Sequence, residues 1–147
     1  MPKPSIYFHL EEVKYILPNK KLVRKWILNN SMREKKEVGD INIIFTSDKY
    51  LYDLNVRHLN HKTLTDIITF DYSDENEISG DIFISLDRVK ENAKEFGTPT
   101  LDELHRVIIH GILHLIGYKD KTKHQKLEMR AKEDYYLSLL PEIMKNS

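Results

Sequence analysis

Cysteine is absent from this 147-residue sequence, which excludes disulfides and thiolate metal sites. Any bound metal must take its ligands from His, Asp or Glu, a donor set that favours a reactive site over a closed structural one. The lack of cysteine also fits a reducing compartment. Long apolar runs are missing too, and no stretch approaches the roughly 18 consecutive residues of a membrane span. The start, Met1-Pro2-Lys3-Pro4-Ser5, has no apolar core of a secretory signal. A cytoplasmic protein without a membrane partner is therefore expected. An excess of either charge is lacking as well, since Lys plus Arg and Asp plus Glu are 23 each. That balance argues against a broadly basic nucleic-acid binder, which needs concentrated positive charge. Local basic stretches remain, at Lys20 to Lys25 and at Lys119 to Lys132, and solvated helix faces explain such runs more often than binding grooves do.

What is present suits a globular chain, with 40% apolar residues and a length typical of one compact domain, so 1–147 is read as a single domain. There is no internal repeat or low-complexity tract. Ser5 to Leu10 reads as an opening strand, and Leu22, Val23, Trp26 and Ile27 recur at helical spacing. Gly39-Asp40 signals a turn before a β-branched strand, Ile41 to Thr46. Ser47 can cap a helix carrying Tyr50, Leu51 and Leu54. Strands follow at Thr65 to Phe70 and Gly80 to Ser85, separated by an acidic loop. Leu86, Val89, Ala93 and Phe96 mark a helix ended by Gly97 and Pro99. Thr100 with Glu103, and Thr122 with Gln125, form two capping-box patterns, the second opening a helix through Leu140. The expected fold is α+β, a single mixed sheet of about four strands with helices packed on it. Architecture of that kind serves many functions, so the site must decide.

The chemistry concentrates in the helix that Thr100 opens. On a wheel with about 100° per residue, Leu104, Ile108, Ile112 and Leu115 cluster opposite His110, whereas His114 falls within about 40° of it. Glu103, Arg106 and Gly117 share that narrow stripe, while His105 lies near the apolar face and reads as structural. Histidines at i and i+4 can direct their nitrogens at one ion, as in zinc hydrolases. Gly117 can end the helix at positive φ and let the chain double back. Asp120 is then the third ligand favoured by spacing and chemistry, with His124 as the rival. Zinc, one per chain, is the expected metal, another divalent ion being possible; with three protein ligands it keeps a position open for water. An anionic third ligand would leave that water somewhat less acidic than three imidazoles would.

The segment His110-Gly111-Ile112-Leu113-His114-Leu115-Ile116-Gly117-Tyr118 resembles the H-G-x-L-H-L-x-G-Y-D-H signature of the YbeY-type endoribonucleases. Leu54-Asn55, Thr65-Asp66-Ile67-Ile68-Thr69-Phe70, Gly80-Asp81-Ile82 and Glu103 fit in the same order, so the resemblance runs over about residues 40–120. It implies a mixed α/β fold, a bound zinc-like ion, and small-subunit ribosomal RNA processing with ribosome quality control. The implied partners are ribosomal RNA, the ribosome or its small subunit, and protein partners. Two positions depart from the pattern. The family's third histidine and its preceding aspartate fall on Asp120 and Lys119, and Leu59 stands where the family usually has an arginine. Arg57, two residues earlier, is the candidate substitute for gripping phosphate, against a plain reading as a solvated arginine.

Gly111 occupies the place of the glutamate general base of zincin proteases and cannot accept a proton. A glycine there would admit a bulky backbone near the ion or serve tight helix packing, and both readings stand. Base work then falls to the metal-bound hydroxide or to another side chain, Asp66 and Glu103 being the carboxylates to test, with Arg106 pairing either a phosphate or Glu103. The first expectation is a metal-dependent, single-strand endoribonuclease acting in rRNA maturation, with metal-activated water attacking a phosphodiester. A zincin-like metallopeptidase and a non-catalytic ribosome-assembly factor with a structural metal are the alternatives.

Overall fold

A computed structural model describes residues 5–60 and 62–145; the signal reading at Met1 to Pro4 lies outside them. The elements run β1 (Ser5–Glu11), α1 (Lys20–Arg33), β2 (Glu37–Thr46), α2 (Asp48–Leu59), β3 (Ile67–Asp71), β4 (Glu77–Ser85), α3 (Leu86–Phe96), α4 (Thr100–Ile116) and α5 (Lys123–Lys145). The four strands make one mixed sheet in the order β1-β2-β4-β3. β1 and β4 flank β2 in parallel, and β3 closes an antiparallel hairpin onto β4. The α+β expectation of one mixed sheet carrying helices is what the chain forms.

Side chains alternate faces along each strand, and two cores result. Ile41, Ile43 and Phe45 of β2 and Ile78, Ile82 and Ile84 of β4 join Val23, Trp26 and Ile27 of α1, the apolar side of α4, and Met129, Tyr136 and Leu140 of α5. Leu51 and Leu54 of α2 cover Ile68 with Phe70 and Phe83 on a smaller second cluster. Trp26 is fully buried and donates its indole N–H to the Tyr136 carbonyl, tying α1 to α5.

Three local expectations need correction. Gly39-Asp40 does not turn the chain; it lies inside β2, where the register to β4 slips between Val38 and Ile41, and the glycine sits at this irregularity against Glu77 and Ser79. The Thr100–Glu103 box does not form. Pro99 occupies the cap position, Thr100 is already helical, and Glu103 is buried. The terminal helix passes Leu140 and carries Pro141 inside it. The strand read from Thr65 begins at Ile67 and the one read from Gly80 begins at Glu77, while two of the caps form as read. Ser47 Oγ accepts from the Tyr50 N–H, and Thr122 and Gln125 exchange the reciprocal bonds of a capping box at 3.1 Å.

α4 is the element that positions the site, and it is more buried than an amphipathic reading implies. Val107, Ile109, Gly111 and Leu113 are buried along with Leu104, Ile108, Ile112 and Leu115, because α4 is wedged between the sheet, α3 and α5. Between its two ends, the stripe holding Arg106, His110 and His114 is the part of α4 that stays partly open.

Candidate metal centre

His110 and His114 face each other one turn apart, with their Nε2 atoms 3.0 Å apart. Gly117, at φ 125°, ends α4, and its N–H and that of Tyr118 bond back to the Leu113 carbonyl. The chain therefore turns sharply over the helix end. That turn returns Asp120, whose Oδ2 lies 3.3 Å from His110 Nε2 and 3.4 Å from His114 Nε2. The three atoms make a nearly equilateral triangle. A tetrahedral zinc with bonds of about 2.0–2.1 Å has its ligand atoms about 3.3 Å apart, so the triangle matches one face of such a tetrahedron. The group His110, His114 and Asp120 is thus a possible metal-binding set.

Hydrogen bonds on the far side of each ring set the tautomers. His114 Nδ1 lies 3.0 Å from the Tyr118 carbonyl, and His110 Nδ1 lies 2.6 Å from Glu133 Oε2. Both partners only accept, so both Nδ1 atoms carry hydrogen and both Nε2 lone pairs are available to an ion. This carboxylate–histidine arrangement orients the ring and raises its basicity as a ligand. Burial works against a charge on His110, but the Glu133 hydrogen bond and the negative charges of Glu133, Asp120 and Asp66 outweigh it and hold its pKa above the ordinary value. Burial and the neighbouring charge of His110 push His114 below it. The pocket favours one positive charge among three electron-rich atoms, which is a cation's place.

Glu133 escaped the sequence reading. It sits on α5 and is almost wholly buried, and it also accepts from Arg106 Nη1 at 2.9 Å. Arg106 Nη2 reaches Asp134 at 2.8 Å, so both its arms are committed to α5 and neither to Glu103. A buried carboxylate in a charged helix has no local signature; only the pairing of α4 with α5 shows what it meets.

The centre opens into a cleft of about 910 Å³ between β3 and its flanking loop, the exposed stripe of α4, and the start of α5. Asp66 and Glu103 both line it. Burial raises the Asp66 pKa, with Glu133 adding and His110 opposing, while Asn92 Nδ2 donates to its carboxylate from 3.4 Å. Burial, reinforced by Asp66, raises Glu103 in the same way. Leu59 lines the cleft, but Arg57 does not; its Nε turns to the Asp53 carbonyl at 3.3 Å. A two-residue shift rotates a helical side chain by about 200°, which sends Arg57 to the opposite face from Leu59. His124 is exposed at the start of α5, apart from the three-residue group. His105 is buried edge-on to Trp26 at 6.0 Å, away from the site. Gly111 also points away from the ion position. A β-carbon there would lie 2.9 Å from Ile82 Cγ2 and 3.1 Å from Ile67 Cδ1, so its smallness serves helix-on-sheet packing.

Residues 9–141 match the family model described as Endoribonuclease YbeY. The chain is 49% identical to the Endoribonuclease YbeY of Cytophaga hutchinsonii, over 95% of this chain and 98% of that protein. It is 44% identical to that of Amoebophilus asiaticus, over 93% and 94% respectively. The solution structure of a Thermotoga maritima protein superposes with a TM-score of 0.69 at 29% identity, covering 96% of this chain and 93% of the other. The chain therefore belongs to the Endoribonuclease YbeY family.

Proposed function

We propose that this protein is a metal-dependent endoribonuclease that cuts single-stranded RNA in ribosomal RNA maturation, with His110, His114 and Asp120 as the metal ligands. The observation that carries the reading is the 3.0–3.4 Å triangle of Nε2, Nε2 and Oδ2 at the floor of an open cleft. Two imidazoles and one carboxylate suit zinc, although other divalent ions accept the same donors. Such an ion would acidify a water and polarise a phosphoryl oxygen of the substrate.

The chain's own residues supply the rest. Glu133 holds His110 in its ligating tautomer, and Arg106 fixes Glu133 rather than gripping phosphate. Asp66 and Glu103, both raised by burial, can hold a proton closer to neutrality than a solvated carboxyl can. Asp66 is the candidate to pass a proton to or from the reacting oxygens, with Glu103 behind it. Endoribonuclease is the name that the relatives carry; ribosomal RNA on the small subunit, recruitment through protein partners and a cytoplasmic site of action complete the reading.

Purified protein should cut a single-stranded ribosomal RNA fragment, lose that activity in chelator and regain it on addition of zinc. Cleavage of casein but not of RNA would favour the peptidase reading. RNA binding that survives metal removal, with no cleavage under any condition, would favour an assembly factor.

A further inference from the structure

We infer that Glu34, at the C-terminal end of α1, is a positioning residue for the metal centre, acting through Tyr118. The inference rests on the reading of His110, His114 and Asp120 as ligands. Glu34 is far from that cluster in sequence and is not among the residues lining the cleft. Its side chain is only 11% exposed, yet it gathers three donors. Tyr118 Oη donates to Oε1 at 2.6 Å, Lys132 Nζ donates to Oε2 at 3.0 Å, and Tyr136 Oη donates to Oε2 as well. Lys132 Nζ also stands 5.5 Å over the Tyr118 ring, so that ring is held at its tip and its face. Burial opposes the Glu34 charge, but these three donors outweigh it and keep the carboxylate below its ordinary pKa.

Tyr118 matters because its carbonyl is the acceptor for His114 Nδ1. The Glu34 bond fixes the side chain of the residue whose backbone selects the tautomer and rotation of a metal ligand. The same bond anchors one end of the short segment that carries Asp120. The other end is anchored at Lys121, whose N–H donates to Gln125 Oε1 at 3.1 Å within the α5 capping box. Asp120 is thereby bracketed between two fixed points, while the Lys119 side chain between them is exposed. Loss of an outer partner of this kind typically weakens metal binding by about 10–100-fold.

The test uses the full chain as Tyr118→Phe, Glu34→Gln and the double variant, with Tyr135→Phe as the control, since the Tyr135 hydroxyl meets Arg33 and not Glu34. Zinc affinity is measured by competition with a chromogenic chelator, and the His114 tautomer by nitrogen-15 NMR of the imidazole. Tyr118→Phe and Glu34→Gln should each weaken zinc binding by about tenfold or more. The double variant should be no worse than the weaker-binding single, as two ends of one interaction require. His114 should lose its uniform Nδ1–H signature in both singles, and Tyr135→Phe should bind zinc to within about threefold of wild type. Folded Tyr118→Phe with unchanged zinc affinity, or additive losses in the double variant, would overturn the inference. Failure of the wild-type protein itself to take up zinc or another divalent ion would sink the metal site, an outcome plainly distinct from either.

Discussion

Two imidazole lone pairs and a carboxylate oxygen, each within 3.4 Å of the others, hold that arrangement at low cost only with a cation among them. The residue-scale predictions follow from who supplies which atom. His114→Ala should leave the purified protein without its metal by elemental analysis; full zinc occupancy in that variant would remove the assignment. Asp120→Ala should lower metal content far more than His124→Ala, because His124 points into solvent at the start of α5. The reverse order would transfer the third ligand to His124. Glu133→Gln keeps the shape of the side chain but weakens the orienting bond to His110, and zinc affinity should fall by about 10–100-fold. Asp66 separates function from stability. Its pKa is raised mainly by burial, so the folded protein binds that proton more tightly than the unfolded chain does. Such a group adds stability below the ordinary carboxylate pKa and subtracts it once the pH has risen through the folded value. Asp66→Asn should therefore stabilise the metal-free protein at neutral pH and not in acid, while lowering RNA cleavage by about 10²–10⁴-fold with metal content intact. Thermal melts of chelator-treated protein at both pH values, beside a cleavage assay, check the pair of outcomes. A loss of neutral-pH stability would contradict the burial argument.

At the scale of elements, α4 carries the site because it is locked against the sheet, and Gly111 is one of the places where helix and sheet meet closely. Its would-be β-carbon meets Ile82 at 2.9 and 3.0 Å and Ile67 at 3.1 Å, on strands that cannot move away without disturbing the core. Gly111→Ala should destabilise the protein by about 1–3 kcal/mol in a denaturant titration, despite the better helix propensity of alanine. An unchanged or raised midpoint would return Gly111 to a role at the substrate. The same contrast shows what could be read from sequence. Signals that close within four residues were legible: the Ser47 cap, the Thr122–Gln125 box, the positive-φ exit at Gly117 and the i,i+4 histidines. Signals that depend on a distant partner were not. Glu133 meets His110 across 23 residues, and Glu34 meets Tyr118 across 84, so neither stood out from an ordinary charged helix. Glu103 misled because its capping-box spacing was sound while tertiary packing drew it into the cleft beside Asp66. The Gly39-Asp40 pair misled for a related reason: a glycine at a strand irregularity and a glycine in a turn look alike in one dimension.

The molecule as a whole carries a formal net charge of zero, so it has little long-range pull on a polyanion. Any affinity for RNA must come from local charge, and the cleft supplies it on one side. Lys119, Lys126 and Arg130 line the wall formed by the turn after α4 and the first turns of α5. The opposite wall carries no basic group; it mixes Asn55, Thr63, Thr65 and Thr69 with apolar Leu59, Ile67 and Ile68 and with the carboxyl groups of Asp66 and Asp71. Arg130 stays available to a ligand, since it is 62% exposed and only 4.0 Å contacts link it to Glu133 and Asp134. Each phosphate neutralised on a single strand contributes about −0.7 to the slope of log affinity against log salt concentration. Three such contacts give a slope of about −2, far shallower than that of a broadly basic binder. Lys126→Gln and Arg130→Gln should each flatten the slope by about 0.7 and leave metal content unchanged. Lys25→Gln, at an exposed position of α1 outside the cleft, should leave it unaltered. Fluorescence anisotropy of a labelled single-stranded RNA, titrated at several salt concentrations, reads all three. If the Lys25 variant flattened the slope and the α5 variants did not, the strand would have to enter along α1, and the basic wall of the cleft would be a solvated face like most others of its composition.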